Sequence, residues 1–123
     1  MKKPLFQKIR LHENLSFNLL KVKRPFFKVP WHFHPEIEIM LIVKGEGTRF
    51  VGDSIGHFEP GDLVMVGSNL SHVWKNADMH YQNNPDVIAE ARVILFREDC
   101  FGKEFFQISE MTRVRELLKR AER

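Results

Sequence analysis

The sequence predicts one mainly β domain, an antiparallel sandwich or barrel followed by a C-terminal amphipathic helix, and three observations carry that reading. Short apolar runs recur between about Leu15 and Phe96 at a spacing of roughly 8–12 residues, each closed by Gly, Asp, Asn or Pro. Past Phe96 the apolar period changes from that of a strand to that of a helix. The 123 residues suffice for one hydrophobic core.

Leu15-Ser16-Phe17-Asn18-Leu19 alternates apolar with polar. Ile37 to Val43 is rich in branched residues and lies between Pro35 and the turn Gly45-Glu46-Gly47. Thr48 to Val51 leads to a Gly52-Asp53 turn, and a short segment follows up to Pro60-Gly61-Asp62. Leu63 to Val66 is an apolar strand stopped by Gly67-Ser68-Asn69, and His72-Val73-Trp74 resumes extended structure. Lys75 to Asp86 is the longest loop candidate, with Asn83-Asn84-Pro85 as breaker, and Val87 to Phe96 is the last strand. Ser109 can cap a helix whose apolar stripe is Met111, Val114, Leu117, Leu118 and Ala121. Arg113, Arg115, Glu116, Lys119 and Arg120 take the other face. The layout is thus one domain over 1–123, a barrel to about residue 96 and a helical tail over about 97–123. The stripe needs a cover, either its own barrel or a second chain.

Hydrophobic content of 43% and charged content of 28% are those of an ordinary globular protein. No apolar stretch approaches the roughly 20 residues of a membrane span, and Met1-Lys2-Lys3-Pro4 is followed by no signal-like apolar region. A single cysteine, Cys100, excludes an internal disulfide and fits a reducing compartment, so a cytoplasmic location is expected. Glu98 and Asp99 disfavour its thiolate, which argues against a nucleophile. The 19 basic and 16 acidic residues leave a formal charge of +3, with basic residues at both ends (Lys2 to Lys28, Arg113 to Arg123) and no dense block. A solvated surface explains this better than a nucleic-acid interface.

The chemistry concentrates in Trp31-His32-Phe33-His34-Pro35-Glu36-Ile37-Glu38. On one extended strand residues 32, 34, 36 and 38 point the same way, which brings two imidazoles and a carboxylate together. These ligand types suit zinc, iron, nickel, copper or manganese. His72, which follows a turn and opens a strand, is the best candidate for a further ligand. A His-x-His alone is more often a surface or core pair. The spacing to Glu38 and Gly45 sets this one apart: His32-x-His34, three residues, Glu38, six residues, Gly45.

That spacing resembles the first conserved motif of the cupin superfamily without a gap. Pro60-Gly61-Asp62 is similar to the turn ahead of the second cupin motif, and His72 with Asn76 to the end of that motif. The resemblance implies a cupin-type double-stranded β-helix, or jelly roll, with one divalent metal ion (Zn, Ni, Fe or Mn) held by His32, His34, Glu38 and His72. The departure is just before His72, where Gly67 and Asn69 stand at positions that many cupins give to proline and glycine; both suit a turn.

A narrower resemblance runs over most of the chain. His32 to Glu38, Gly45 to Asp53, Gly61 to Val64 and Leu70 to Trp74 look like the N-terminal sensor domain of AraC-type transcriptional regulators. Phe105 to Ile108, Glu110-Met111, Val114, Leu117-Leu118 and Ala121 look like the linker region beyond it. This implies a module that senses a small molecule, sugar among the classes considered, dimerises through its C-terminal helix, and acts on DNA only through a helix-turn-helix domain absent from these 123 residues. The ligand pocket is expected at Trp31, Phe33, Glu36, Met40 and Trp74. Two other classes stay open, a stand-alone cupin metalloenzyme of dioxygenase or sugar-isomerase type and a metal-stabilised barrel with no small ligand. Beyond the ligands only Glu36 and His80 offer an acid or base, and neither is well placed, so no catalytic residue is expected. Glu36 reads as a rim or pocket residue, His57 and His80 as solvent-facing with His80 able to edge the pocket, and Arg49 as an exposed strand arginine.

Overall fold

A computed structural model describes residues 3–8, 17–97 and 112–121 of the chain. The start of the tail, with Cys100, Ser109 and Met111, lies outside the described residues. The strands are β1 (Leu5–Phe6), β2 (Phe17–Arg24), β3 (His32–Phe33), β4 (Ile37–Lys44), β5 (Gly47–Val51), β6 (Ser54–Phe58), β7 (Leu63–Val66), β8 (His72–Asn76) and β9 (Ala89–Phe96). They form two sheets, ordered β1-β3-β8-β5-β6 and β2-β9-β4-β7. Among the described residues only the short β1–β3 pair is parallel.

Alternation sets what lies between the sheets. Along β9 every second residue is buried, from Ala89 through Ala91 and Val93 to Leu95. Opposite them on β4 stand Ile42, Met40 and Glu38, paired with Ala91, Val93 and Leu95. Met40, Ile42, Ala91, Val93 and Leu95, with Phe58, Val66 and Trp74, make the core. Each large apolar one contributes about 1.5–3 kcal/mol by leaving water.

The segment from His32 to Glu38 departs from the single extended strand that the sequence suggests. The ladder ends at Phe33, the chain bends at Pro35 and Glu36, and β4 begins on the other sheet. Proline explains the break, since it has no N–H for a ladder and fixes φ. The corner is tied to the loop before β8: the Asn69 N–H donates to the His34 carbonyl (2.8 Å) and the Ser68 hydroxyl to that of Pro35 (2.6 Å). Asn69 stands at φ 61°, the left-handed region that glycine favours and asparagine tolerates. The altered turn before His72 therefore still delivers that residue to the head of β8.

Three further expectations are adjusted. The first long strand reaches Arg24. The loop expected over Lys75–Asp86 starts later, because Lys75 and Asn76 belong to β8, and it contains a 3-10 helix over Asp78–Tyr81. His80 on that helix is 5% exposed, not solvent-facing, because its Nδ1–H donates to the Pro25 carbonyl at 2.9 Å. In the tail a helix, α1, spans Thr112–Ala121, with Val114 and Leu117 37% and 46% exposed.

Gly47, on β5 opposite Asn76, is fixed by close approach. A Cβ there would meet the Lys75 carbonyl oxygen at 2.0 Å and the Asn76 Cα at 2.8 Å, both backbone atoms of the strand that carries His72. At Gly56 the obstacle is the far end of the Arg49 side chain, at 2.9 Å, rather than backbone. Gly47→Ala is expected to cost about 3 kcal/mol or more through forced backbone shifts, and Gly56→Ala about 1 kcal/mol or less. Urea denaturation of both variants checks the contrast, and equal losses would contradict the packing described.

Candidate metal centre

Two sheets and one corner assemble the histidine cluster. His32 on β3 pairs directly across from His72 on β8, His34 sits at the corner, and Glu38 faces inward from β4. The ring centroids of His32 and His72 are 4.2 Å apart, those of His34 and His72 4.9 Å, and those of His32 and His34 5.5 Å. One ring nitrogen from each of the three buried histidines lies within 4.8 Å of the others, an arrangement that could hold a metal ion. Glu38 closes the group, with Oε1 3.5 Å from His34 Nε2 and Oε2 3.7 Å from His72 Nε2.

Backbone carbonyls decide which nitrogen each ring offers. His32 Nδ1 lies 2.6 Å from the Pro30 oxygen, His34 Nδ1 3.0 Å from that of Glu36, and His72 Nδ1 2.7 Å from that of Leu70. A carbonyl only accepts, so each Nδ1 carries the proton and each neutral ring keeps its lone pair on Nε2. Such carbonyl partners are the usual orienters of metal-binding imidazoles. The Nε2 atoms of His34 and His72 are buried without a hydrogen-bond partner. A lone pair facing a carboxylate is unfavourable unless a cation lies between them. The donor set thus fits a proton or a divalent metal, two nitrogens and an oxygen already converging.

The electrostatics agree. Burial, with His72 beside it, holds His32 down to about 4, so it is a neutral donor at physiological pH. Burial also opposes charge on His34, but the adjacent Glu38 outweighs it and raises His34 above its ordinary value. Burial alone would raise Glu38; His34 and His72 reverse that and hold it at about 2, a fixed anion among the rings.

A cavity of about 470 Å³ borders the cluster, with His32 and Glu38 in its wall. Of the residues expected to form a pocket, Met40 and Trp74 line it and Trp31, Phe33 and Glu36 do not. Trp31 faces a separate groove beside Phe50 and Val73. Phe33 packs on Phe6, ring centroids 5.6 Å apart. Glu36 is not a rim residue: the corner buries it, with Oε2 3.7 Å from Arg97 Nε and Oε1 without a partner. His57 is exposed as expected, whereas Arg49 is half-buried and donates to the His57 carbonyl. Sequence reasoning missed Gln7, Lys8, Arg24 and Lys28, which also line the cavity. Their one signal is the basic stretch from Lys2 to Lys28.

The depressed His32 value has a measurable consequence in metal-free protein. Between 6.5 and about 4 the unfolded chain binds a proton at His32 that the folded chain refuses, so stability should fall as pH drops through that window. His34 slopes the other way at higher pH, its contribution complete below 6.5 and lost as pH rises through its raised value. Glu38 loses its contribution only as pH falls from 4.5 toward 2. Urea titrations should show a shallower acid loss in His32→Gln than in wild type, and parallel curves would contradict the assignment.

No protein-family model and no curated protein matches the sequence. Solved structures do. A cupin 2 conserved barrel domain protein from Rhodopseudomonas palustris superposes with a TM-score of 0.53 at 17% identity, over 72% of this chain and 57% of that one. The chain therefore spans just over half the length of that protein. A cupin-2 domain from Rhodospirillum rubrum gives 0.54 at 16% identity, over 89% and 76% of the two chains. Hydroxypropylphosphonic acid epoxidase from S. wedmorenis gives 0.51 at 17%, over 66% and 44%. The chain is mainly β and shares the fold of cupin barrels.

Proposed function

We propose that this chain is the sensor barrel of an AraC-type transcriptional regulator, in which His32, His34, Glu38 and His72 hold one divalent metal ion at the floor of a small-molecule pocket. The observation that carries the metal is the set of three carbonyl-tethered imidazoles whose ligand atoms lie within 4.8 Å of one another, with the Nε2 atoms of His34 and His72 left facing Glu38. When bound, the metal would supply a Lewis-acidic anchor for an oxygen donor. The protein supplies the rest: tethered rings, an inner carboxylate and a cavity of the size small ligands occupy.

Sensing is favoured over catalysis by what else lines that cavity. Among the described residues its titratable groups beyond His32 and Glu38 are Lys8, Arg24 and Lys28, all exposed. None is a buried acid or base set to move a proton. The exposed Val114 and Leu117 of α1 supply the output, a surface for a second copy of the chain. The likeness in fold to an epoxidase favours a second reading, a stand-alone metal-dependent enzyme. Among the described residues no helix is long and apolar enough to cross a membrane.

Protein purified without an affinity tag should carry about one divalent ion per chain by elemental analysis. The double variant His32→Ala/His72→Ala should carry none, and metal-free wild-type protein that takes up no zinc, nickel, iron or manganese would overturn the reading. Sedimentation velocity should show a dimer that Val114→Ser/Leu117→Ser converts to monomer with metal content unchanged. A monomeric wild type would remove the proposed output.

A further inference from the structure

A second cavity, of about 790 Å³, shares no residue with the histidine cluster. Its apolar wall is Pro25, Phe26, Tyr81, Pro85, Val87 and Ile88, with the Phe26 and Tyr81 ring centroids 4.7 Å apart. Lys23, Arg24, Asn83 and Asn84 complete the described lining, and all four are exposed, so water solvates their polar ends. Among the described residues only His80 lines this cavity from a buried position, at 5% exposure.

Three contacts fix the His80 ring. Its backbone N–H donates to the Ala77 carbonyl at 3.0 Å, closing the turn that carries it. Its Nδ1 holds a proton, because the Pro25 carbonyl 2.9 Å away only accepts. Its Cε1 faces Gly45, where an added Cβ would lie 3.3 Å from it. Nε2 therefore keeps one bearing. That nitrogen has no protein partner among the described residues, and unlike the Nε2 atoms of His34 and His72 it is not sealed from solvent. His80 lines this cavity and neither the one beside the cluster nor the groove at Trp31, so Nε2 opens here.

In the neutral ring Nε2 is an acceptor with a free lone pair. An occupant that covers it without a donor strips its water and returns nothing, whereas an O–H or N–H replaces the lost bond. The tilted Phe26–Tyr81 pair favours a third aromatic ring beside it over an aliphatic body of the same size. We infer that this cavity is a second ligand site, which takes a small aromatic compound whose ring O–H or N–H, as in a phenol or an indole, donates to His80 Nε2. The site is independent of the sensor reading and of the metal.

The test combines isothermal titration with long-range proton–nitrogen NMR of wild-type protein, at a pH where the rings are neutral. Phenol and indole are the probes. Anisole and 1-methylindole keep the ring and lose the donor, and cyclohexanol keeps the donor and loses the aromatic ring. At least one of phenol and indole should bind about threefold or more tightly than its methylated partner and shift the His80 Nε2 resonance, which the methylated compounds leave in place. Phenol should bind more tightly than cyclohexanol. His80→Leu should erase the donor preference, and Phe26→Leu/Tyr81→Leu should weaken phenol and anisole together while zinc uptake stays unchanged. If loss of the Pro25 tether unfolds His80→Leu, the nitrogen shift in wild type decides alone. Equal binding of donor and methylated probes, cyclohexanol binding as tightly as phenol, a shift at His32 in place of His80, phenol binding untouched in the Phe26/Tyr81 variant, or no binding below about 10 mM would each overturn the inference. Protein that takes up no metal yet shows the His80 response keeps this site and loses the metal reading.

Discussion

The site depends on three short hydrogen bonds from imidazole to backbone. Each of His32, His34 and His72 spends its Nδ1 proton on a carbonyl two residues away in sequence, those of Pro30, Glu36 and Leu70. The rings therefore cannot turn that edge toward the barrel interior, and their Nε2 atoms are what the interior meets. Around Glu38 this makes a cluster with too little positive charge for its own carboxylate. A proton relieves part of that imbalance and a divalent ion relieves more. The depressed Glu38 and raised His34 values express the same demand from both sides.

The barrel holds this arrangement through connections that cross between sheets. His32 and His72 belong to one sheet and Glu38 to the other, so the cluster bridges both. The corner at Pro35 places His34 between them, and Ser68 and Asn69 fasten that corner to the turn before β8. At the far end of β8, the Asn76 side chain accepts from the Phe27 N–H at 2.6 Å and lies 3.4 Å from the Glu46 carbonyl. Gly47 lets β5 come close enough to hold the same strand. The core and the cluster thus stabilise the same elements.

Much of this is legible in the sequence because it is local. Turn residues and two-residue alternation mark most strands, and the spacing from His32 to Gly45 marks the ligands. The reason for convergence is less legible. Alternation along one strand would group residues 32, 34, 36 and 38, yet Pro35 ends the ladder and the group forms by a change of sheet, which buries Glu36 beside Arg97 instead of at a rim. Trp31 and Phe33 lie close to the ligands in sequence but outside the cavity. Its cations come from segments that strand pairing brings there from afar, and no local pattern encodes such pairing. His80 reads as a loop histidine because its tether, the Pro25 carbonyl, lies 55 residues away.

The tautomers of the three rings are the most direct measure of this account. Long-range proton–nitrogen NMR of metal-free protein, at a pH where the rings are neutral, should find His32, His34 and His72 all protonated on Nδ1, with the Nε2 resonances shifting when zinc is added. Protons on Nε2 in the neutral rings, or zinc perturbing Nδ1 instead, would contradict it.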